Sequence, residues 1–294
     1  FEVLIGFKPP ARAWPGRFYR ALGLGGYVAA GAMVASVLLA LPISGALARG
    51  LAPWRLIALA VLGVIPAVDL SVALVNHLVT RGFRATLLPA LELRGGVPTS
   101  LRTLVGVPTL LTSLADVEAQ VERLEVHYLA NSDGDVRFAL VSDWVDAPAE
   151  TVPGDAAILS AARAGVARLN ASHGPAPDGG ARFYVFHRRR FWNASERVWM
   201  GWERKRGKLH ELNRLLRGVE NTSFLAENGA APPAPCGVRY VVTLDADTRL
   251  PIGAIGRMVG TMAHPLNRPR VDASTRRVVE GYAVLQPRVT APLP

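Results

Sequence analysis

Apolar residues are distributed along this chain in two distinct ways. The first is as long uninterrupted runs. Residues 21–48 (ALGLGGYVAAGAMVASVLLALPISGALA) carry no charge, and residues 56–80 (LIALAVLGVIPAVDLSVALVNHLVT) carry only Asp69. A membrane span needs about 20 apolar residues, so each run predicts a transmembrane helix. The first is too long for the core of a signal peptide, and a second run follows it. The joining segment RGLAPWR is short, which predicts an antiparallel hairpin. A charge at membrane depth is costly. Asp69 therefore reads either as a functional group or as a residue facing further helices of a larger bundle, where it would be protonated or hydrogen-bonded.

After residue 100 short apolar runs alternate with amphipathic ones. LRTLVGVPTLL (101–111), RFALVSDWVD (137–146), ARFYVFHRRR (181–190), VRYVVTLDADTRL (238–250) and VVEGYAVLQPRV (278–289) read as five strands. Between them, SLADVEAQVERLEVHYLA opens on a capping serine and keeps helical spacing to about Arg123. DAAILSAARAGVARLNAS (155–172), KRGKLHELNRLLRG (205–218) and PIGAIGRMVGTMAHP (251–265) read as further helices, the last starting on a proline favoured at the first helical position. Alternating strands and helices predict an α/β fold with a mostly parallel sheet covered on both faces. In such sheets ligands bind at the carboxyl ends of the strands. The expected organisation is a cytoplasmic lead-in (1–20), two membrane helices (21–80), a linker (81–100) and an α/β domain (101–294). The sequence begins at Phe1 and ends at Pro294 just after a strand-like run, so it reads as a piece cut from a longer protein.

Charge refines this picture. The net charge of +10 over 294 residues favours an anionic partner: nucleic acid, acidic lipid or a phosphorylated substrate. The basic residues are scattered and match no nucleic-acid module, so no nucleic acid is expected. Lys8, Arg12, Arg17 and Arg20 precede the first span and Arg81, Arg84 and Arg94 follow the second, against Arg49 and Arg55 in the loop. The positive-inside rule then puts both ends, and the α/β domain, in the cytoplasm. With one cysteine, Cys236, neither an internal disulfide nor a cysteine zinc cluster is possible.

Three constellations carry candidate chemistry. In Asp245-Ala246-Asp247 the apolar run YVVTL delivers two carboxylates at a strand end. Hard cations such as Mg2+ choose oxygen ligands and share them with substrate phosphates, which suits a departing diphosphate. The same residues also read as a plain strand-end turn in which Asp247 caps the next helix. Lys205-Arg206-Gly207-Lys208 places three cations at a glycine ahead of a helix, an anion site by charge and backbone access; a solvated basic face is the bland alternative. Pro108 and Thr109 end the first strand and Asp143 lies near the end of the second, where a loop can cradle a nucleotide and an acid can accept a uracil imide N–H. Arg188, Arg189 and Arg190 read as surface or sheet-edge charge, and Asp133, Asp135 and Asp146 as loop acids. Trp192, Trp199 and Trp202 read as core or as a sugar-stacking floor. His187, His210 and His264 are not spaced as a metal site.

Taken in order, VPTLLTS, ALVSDWVDAP, WMGWERKRGKL, VTLDADTRLP, GTMAHPLNRP and GYAVLQPRV, with NHLVT at the end of the second span, resemble the glucosyltransferase region of cyclic β-1,2-glucan synthases, of GT-A type, over roughly residues 56–290. The resemblance implies UDP-glucose as donor, a glucan acceptor, inverting transfer, Mg2+ or Mn2+, and the inner membrane with its lipid. It assigns donor contacts to Asp245 and the metal to Asp245 and Asp247, a uridine contact to Asp143, and a basic donor contact to Lys208, where Arg-Gly-Lys-Leu replaces the Gly-Asn of many relatives. The catalytic general base is unknown and is expected beyond Pro294. A cellulose- or chitin-synthase relative with another sugar or linkage is the alternative reading in the same class. A non-catalytic membrane module that binds anions is the alternative outside it.

Overall fold

The computed structural model describes residues 10–11, 14–82, 87–226 and 231–287. The expected lead-in up to residue 9, Lys8, Arg12 and Arg84 as flanking charges, and the end of the fifth expected strand therefore lie outside the described residues. The chain divides into two compact units, Phe1–Leu87 and Leu88–Pro294.

The first unit is a helical hairpin. Helix α1 spans Trp14–Ala48, broken at Gly23, whose φ of 53° is not helical, and helix α2 spans Pro53–Gly82. Gly23–Ala48 and Pro53–Arg81 are each long and apolar enough to cross a membrane. The seam repeats at four-residue steps on α2, where Ala67, Ser71 and Val75 are buried. Small residues let the backbones approach. The Ser71 hydroxyl donates to the Gly31 carbonyl at 2.6 Å, and the Tyr27 hydroxyl to Asn76 Oδ1 at 2.9 Å. A methyl on Gly63 would come within 2.9 Å of the Leu39 side chain. Asp69, two residues from both Ala67 and Ser71, is exposed on the outer face of the hairpin.

The second unit is an α/β fold. Strands β1 (Thr103–Leu111), β2 (Val136–Trp144), β3 (Phe183–His187) and β6 (Tyr240–Thr243) form one parallel sheet in the order β3-β2-β1-β6. Nearly every position of β1 and all of β2 are buried, as expected of strands covered on both faces. Helices α3 (Leu114–Ala130), α4 (Asp155–His173) and α6 (Ala254–Ala263) pack on one face through Val121, Leu124, Leu159, Val166, Ile255 and Val259. Helix α5 (Arg204–Leu216) covers the other through Leu212 and Leu215. Ser113 caps α3, accepting the Asp116 amide at 3.1 Å, and the helix runs past Arg123 to Ala130. Residues 91–97 of the expected linker belong to this unit: Leu91 N–H donates to the Gly260 carbonyl at 3.0 Å, and Val97 is buried in the core.

Three expectations are corrected. Helix α6 begins at Ala254 behind Gly253, which has a φ of +66°, so neither Pro251 nor Asp247 starts or caps it. Residues 278–280 join no parallel sheet. As strand β8 they pair antiparallel with Arg270–Val271 (β7), and Val278 and Val279 are exposed. Asp272 closes that ribbon locally, its Oδ1 accepting the amides of Ser274 at 2.8 Å and Thr275 at 2.7 Å; a short loop of this kind closes at low entropic cost. Asp135 is no loop acid. It is buried at the amino edge of the sheet between Arg102 Nε (3.0 Å) and Arg137 Nη2 (2.9 Å), and Asp178 completes the group.

Candidate functional site

The chain passes from β1 outward to β2 and β3, then returns to add β6 on the far side of β1. The covering helices change face at the same point, α3 and α4 lying on one side and α5 on the other. This reversal opens a crevice at the carboxyl ends of β1 and β6, the usual ligand position in such sheets. A cleft of about 460 Å3 lies there, lined by Pro108, Thr109, Asp143, Asp146, Gly201, Arg204, Lys205, Lys208, Asp245 and Ala246 among others. Of the residues singled out from sequence, Pro108, Thr109, Asp143, Lys205, Lys208 and Asp245 thus meet at one site. Gly207 and Asp247 are not part of its lining.

The wall of the cleft is built on a residue read from sequence as surface charge. Arg188 follows β3 and is 1% exposed. Its Nε donates to Asp143 Oδ1 at 2.7 Å and its Nη2 to Asp143 Oδ2 at 3.0 Å, a bidentate pair. The remaining donors reach the carbonyls of Trp202 and Arg204, each at 3.0 Å. These bonds hold the turn that starts α5, where Glu203 and Arg204 take positive φ values of 51° and 45°. Non-glycine residues seldom adopt such angles unless their surroundings impose them. Arg190 is buried too, at 2.5 Å from Asp155.

Two glycines let the turn close on this pair. A Cβ on Gly201 would stand 2.6 Å from the Asp143 carboxyl carbon, and one on Gly207 would stand 2.0 Å from the Trp202 carbonyl oxygen. Gly207 therefore lies inside α5 as a packing residue, not in a turn ahead of the helix. The side chains around it diverge. Lys208 is buried, its ammonium 2.6 Å from the Thr109 carbonyl and 3.1 Å from Asp143. Burial pushes its pKa below the ordinary lysine value, and Asp143 opposes that shift. Lys205 is half exposed and pairs with Asp245 across the mouth of the cleft. Arg204 bridges Asp146 at 2.9 Å and Glu196 at 3.1 Å, so Asp146 is a cleft residue. The first turn of α5 contains no acid, so its cations face the positive end of the helix dipole. Their carboxylate partners Asp143, Asp146, Glu196 and Asp245 offset that repulsion.

The loop after β6 is fixed from two sides. Leu244 N–H donates to the Gly106 carbonyl at 3.1 Å, extending the ladder by one bond, and Arg123 donates to the Ala246 carbonyl at 3.2 Å. Asp245 is delivered into the cleft and Asp247 is exposed beside it. Among the described residues no group of three or more His, Cys, Asp or Glu side chains is placed to hold a metal ion. The Asp245 carboxylate is instead paired with the Lys205 ammonium. A pair of carboxylates is also the donor set that Mg2+ takes when it shares its remaining positions with phosphate and water.

The comparisons with known proteins bear on this geometry. No protein-family model matches the chain. Over 229 residues, 78% of its length, the chain is 48% identical to the cyclic β-(1,2)-glucan synthase NdvB of Rhizobium meliloti strain 1021. The chain is a relative of cyclic β-(1,2)-glucan synthases. It spans 8% of the length of that synthase, and the resemblance read from the strings VPTLLTS to GYAVLQPRV is thereby borne out.

Two outcomes follow from the packing. Gly207→Ala, which would stabilise an ordinary helix by about 1 kcal/mol, is expected to lower the thermal midpoint of the full chain in detergent, because the methyl meets the Trp202 carbonyl. The second concerns His187, buried with its Nδ1 2.8 Å from Ser142 Oγ and its ring 4.1 Å from that of Trp144. Burial, then Lys208, lowers its pKa from 6.5 to about 3. The folded value lies below the unfolded one, so His187 leaves stability untouched above pH 6.5 and the unfolded chain gains a proton first as pH falls from there toward 3. By pH 5 this costs about 2 kcal/mol. Melting at pH 7.5 and pH 5 is expected to show a smaller loss in His187→Gln than in the parent.

Proposed function

We propose that the chain forms the donor-binding part of a glucosyltransferase that uses UDP-glucose to build β-1,2-glucan with inversion at the transferred sugar. The observation that carries this reading is the cleft at the reversal of strand order, where Arg204, Lys205 and Lys208 meet the carboxylates of Asp143, Asp146 and Asp245, in a chain 48% identical to a cyclic β-(1,2)-glucan synthase. The divisions of labour follow from position. Lys205 and Arg204 at the mouth offset the charge of the diphosphate, and buried Lys208 keeps the deep wall positive. Asp143 spends three of about four acceptor sites on Arg188 and Lys208; the fourth remains for a uracil imide N–H. Pro108 and Thr109 form the floor at the end of β1.

Asp245 and Asp247 are the residues that would hold Mg2+ or Mn2+, whose chemistry is to neutralise the leaving diphosphate. With a metal on Asp245, the Lys205 ammonium that now pairs with it would be available to phosphate. The hairpin α1–α2 anchors the unit in the inner membrane. Arg17, Arg20, Arg81 and Arg94 outnumber Arg49 and Arg55 of the loop, which favours the cytoplasmic side for both chain ends and for the cleft.

Calorimetry with UDP-glucose on the full chain in detergent tests the reading. Binding is expected to require Mg2+ or Mn2+ and to be lost in Asp245→Ala, with Asp247→Ala weakened at least about tenfold. Metal-independent binding, or binding unchanged by both substitutions, would refute the assignment.

A further inference from the structure

Sequence patterning gave residues 191–200 no element of their own. They form a hairpin, β4 (Phe191–Asn193) with β5 (Val198–Met200), in which Trp192 faces Trp199 with ring centroids 6.0 Å apart. The hairpin is tied to the loop after β2 by two backbone bonds between Ala147 and Trp199, each 2.9 Å. It leads directly into Gly201 and the strained turn that carries Arg204. Alongside it runs an open groove of about 590 Å3, lined by Phe191, Trp192, Asn193, Trp202, Glu203 and Arg204 among others.

The lining is unusual for a soluble surface. Trp192 and Trp202 are 52% and 47% exposed, where packing alone would bury both rings. Beside these apolar faces stand an amide, two carboxylates (Glu196 and Glu203) and a guanidinium. A pyranose presents the same alternation: C–H groups on its faces and hydroxyls around its edge. Flat aromatic faces take the former and bidentate polar groups the latter. The groove adjoins the donor cleft, and Arg204 lines both. Nucleotide recognition alone accounts for neither the hairpin nor the exposed Trp192 and Trp202.

We propose that this groove binds the glucan chain, with Trp192 and Trp202 as stacking platforms that lead a chain end toward the donor cleft. The identity of the ligand as a glucan rests on the function proposed above. The occupant is a linear β-linked glucooligosaccharide, bound non-covalently, and Arg204 sits between it and the sugar nucleotide.

Two ligands separate this inference from the donor reading. Binding of a linear β-1,2-linked glucooligosaccharide and of UDP is measured by calorimetry on the full chain in detergent. Trp192→Ala and Trp202→Ala are each expected to weaken the oligosaccharide at least about tenfold and to leave UDP within about twofold. Trp192→Tyr keeps a flat ring and is expected to retain most of the affinity. Both tryptophans are half exposed, so the melting temperature serves as the control for folding. An oligosaccharide that does not bind the parent chain, or that binds both alanine variants as tightly as the parent, overturns the proposal. Oligosaccharide binding that depends on Trp192 and Trp202 in a chain that does not bind UDP upholds the groove and removes the donor site.

Discussion

A single buried guanidinium organises the carboxyl edge of this sheet. Taking Arg188 out of water is tolerable only if its donors are met, and the structure meets them with one carboxylate and two backbone carbonyls. Asp143, on the neighbouring strand, supplies charge balance, and the carbonyls of Trp202 and Arg204 supply the rest. Removing one partner of such a pair costs about 3–5 kcal/mol because the other stays buried and uncompensated. The need to satisfy Arg188 therefore fixes the path of the chain between β5 and α5, including two residues at positive φ. Gly201 and Gly207 leave the room this path requires.

The consequences spread outward from that pair. Because the turn is fixed, α5 starts with Arg204, Lys205 and Lys208 facing the crevice between β1 and β6. Because β6 ends at Thr243, Asp245 enters the same crevice from the opposite side. The polar groups of the cleft thus hang on backbone that the sheet and the buried pair hold rigid, the condition for a site that binds a charged ligand without reorganising. The same turn carries Trp202 and follows the hairpin that carries Trp192, which explains how two grooves come to share Arg204.

Much of this was legible in the sequence. The apolar runs at 21–48 and 56–80 could be little else than long helices, and YVVTL running into Asp245 marked a strand whose end faces the cleft. What escaped was long-range pairing. Arg188 sits in a run of three arginines, and such runs are solvated far more often than buried. Its burial follows only once β2 and β3 are known to lie side by side with Ser142 opposite His187, which brings Asp143 next to Arg188. Asp135 was missed for the same reason, since its partner Arg102 precedes β1 and lies 33 residues away in sequence. Val278 and Val279 look like strand residues and are, but a tight Asp272 turn gives them a local partner. Gly207 read as a turn because glycine is rare inside helices; its reason for being there is the Trp202 carbonyl, which no local pattern displays.

The central claim is that the Arg188–Asp143 pair exists to shape the cleft and not merely to hold the fold together. The most direct test is to replace both at once, Arg188→Met with Asp143→Leu, and measure melting and UDP-glucose binding on the full chain in detergent. Removing both charges together avoids leaving either of the two buried alone, while Lys208 keeps only the Thr109 carbonyl. The account predicts a folded protein, melting below the parent because Lys208 loses its carboxylate, that has lost UDP-glucose binding because the turn from Gly201 to Arg204 is no longer pinned and Asp143 no longer faces the cleft. A folded double variant that binds UDP-glucose as tightly as the parent would contradict it.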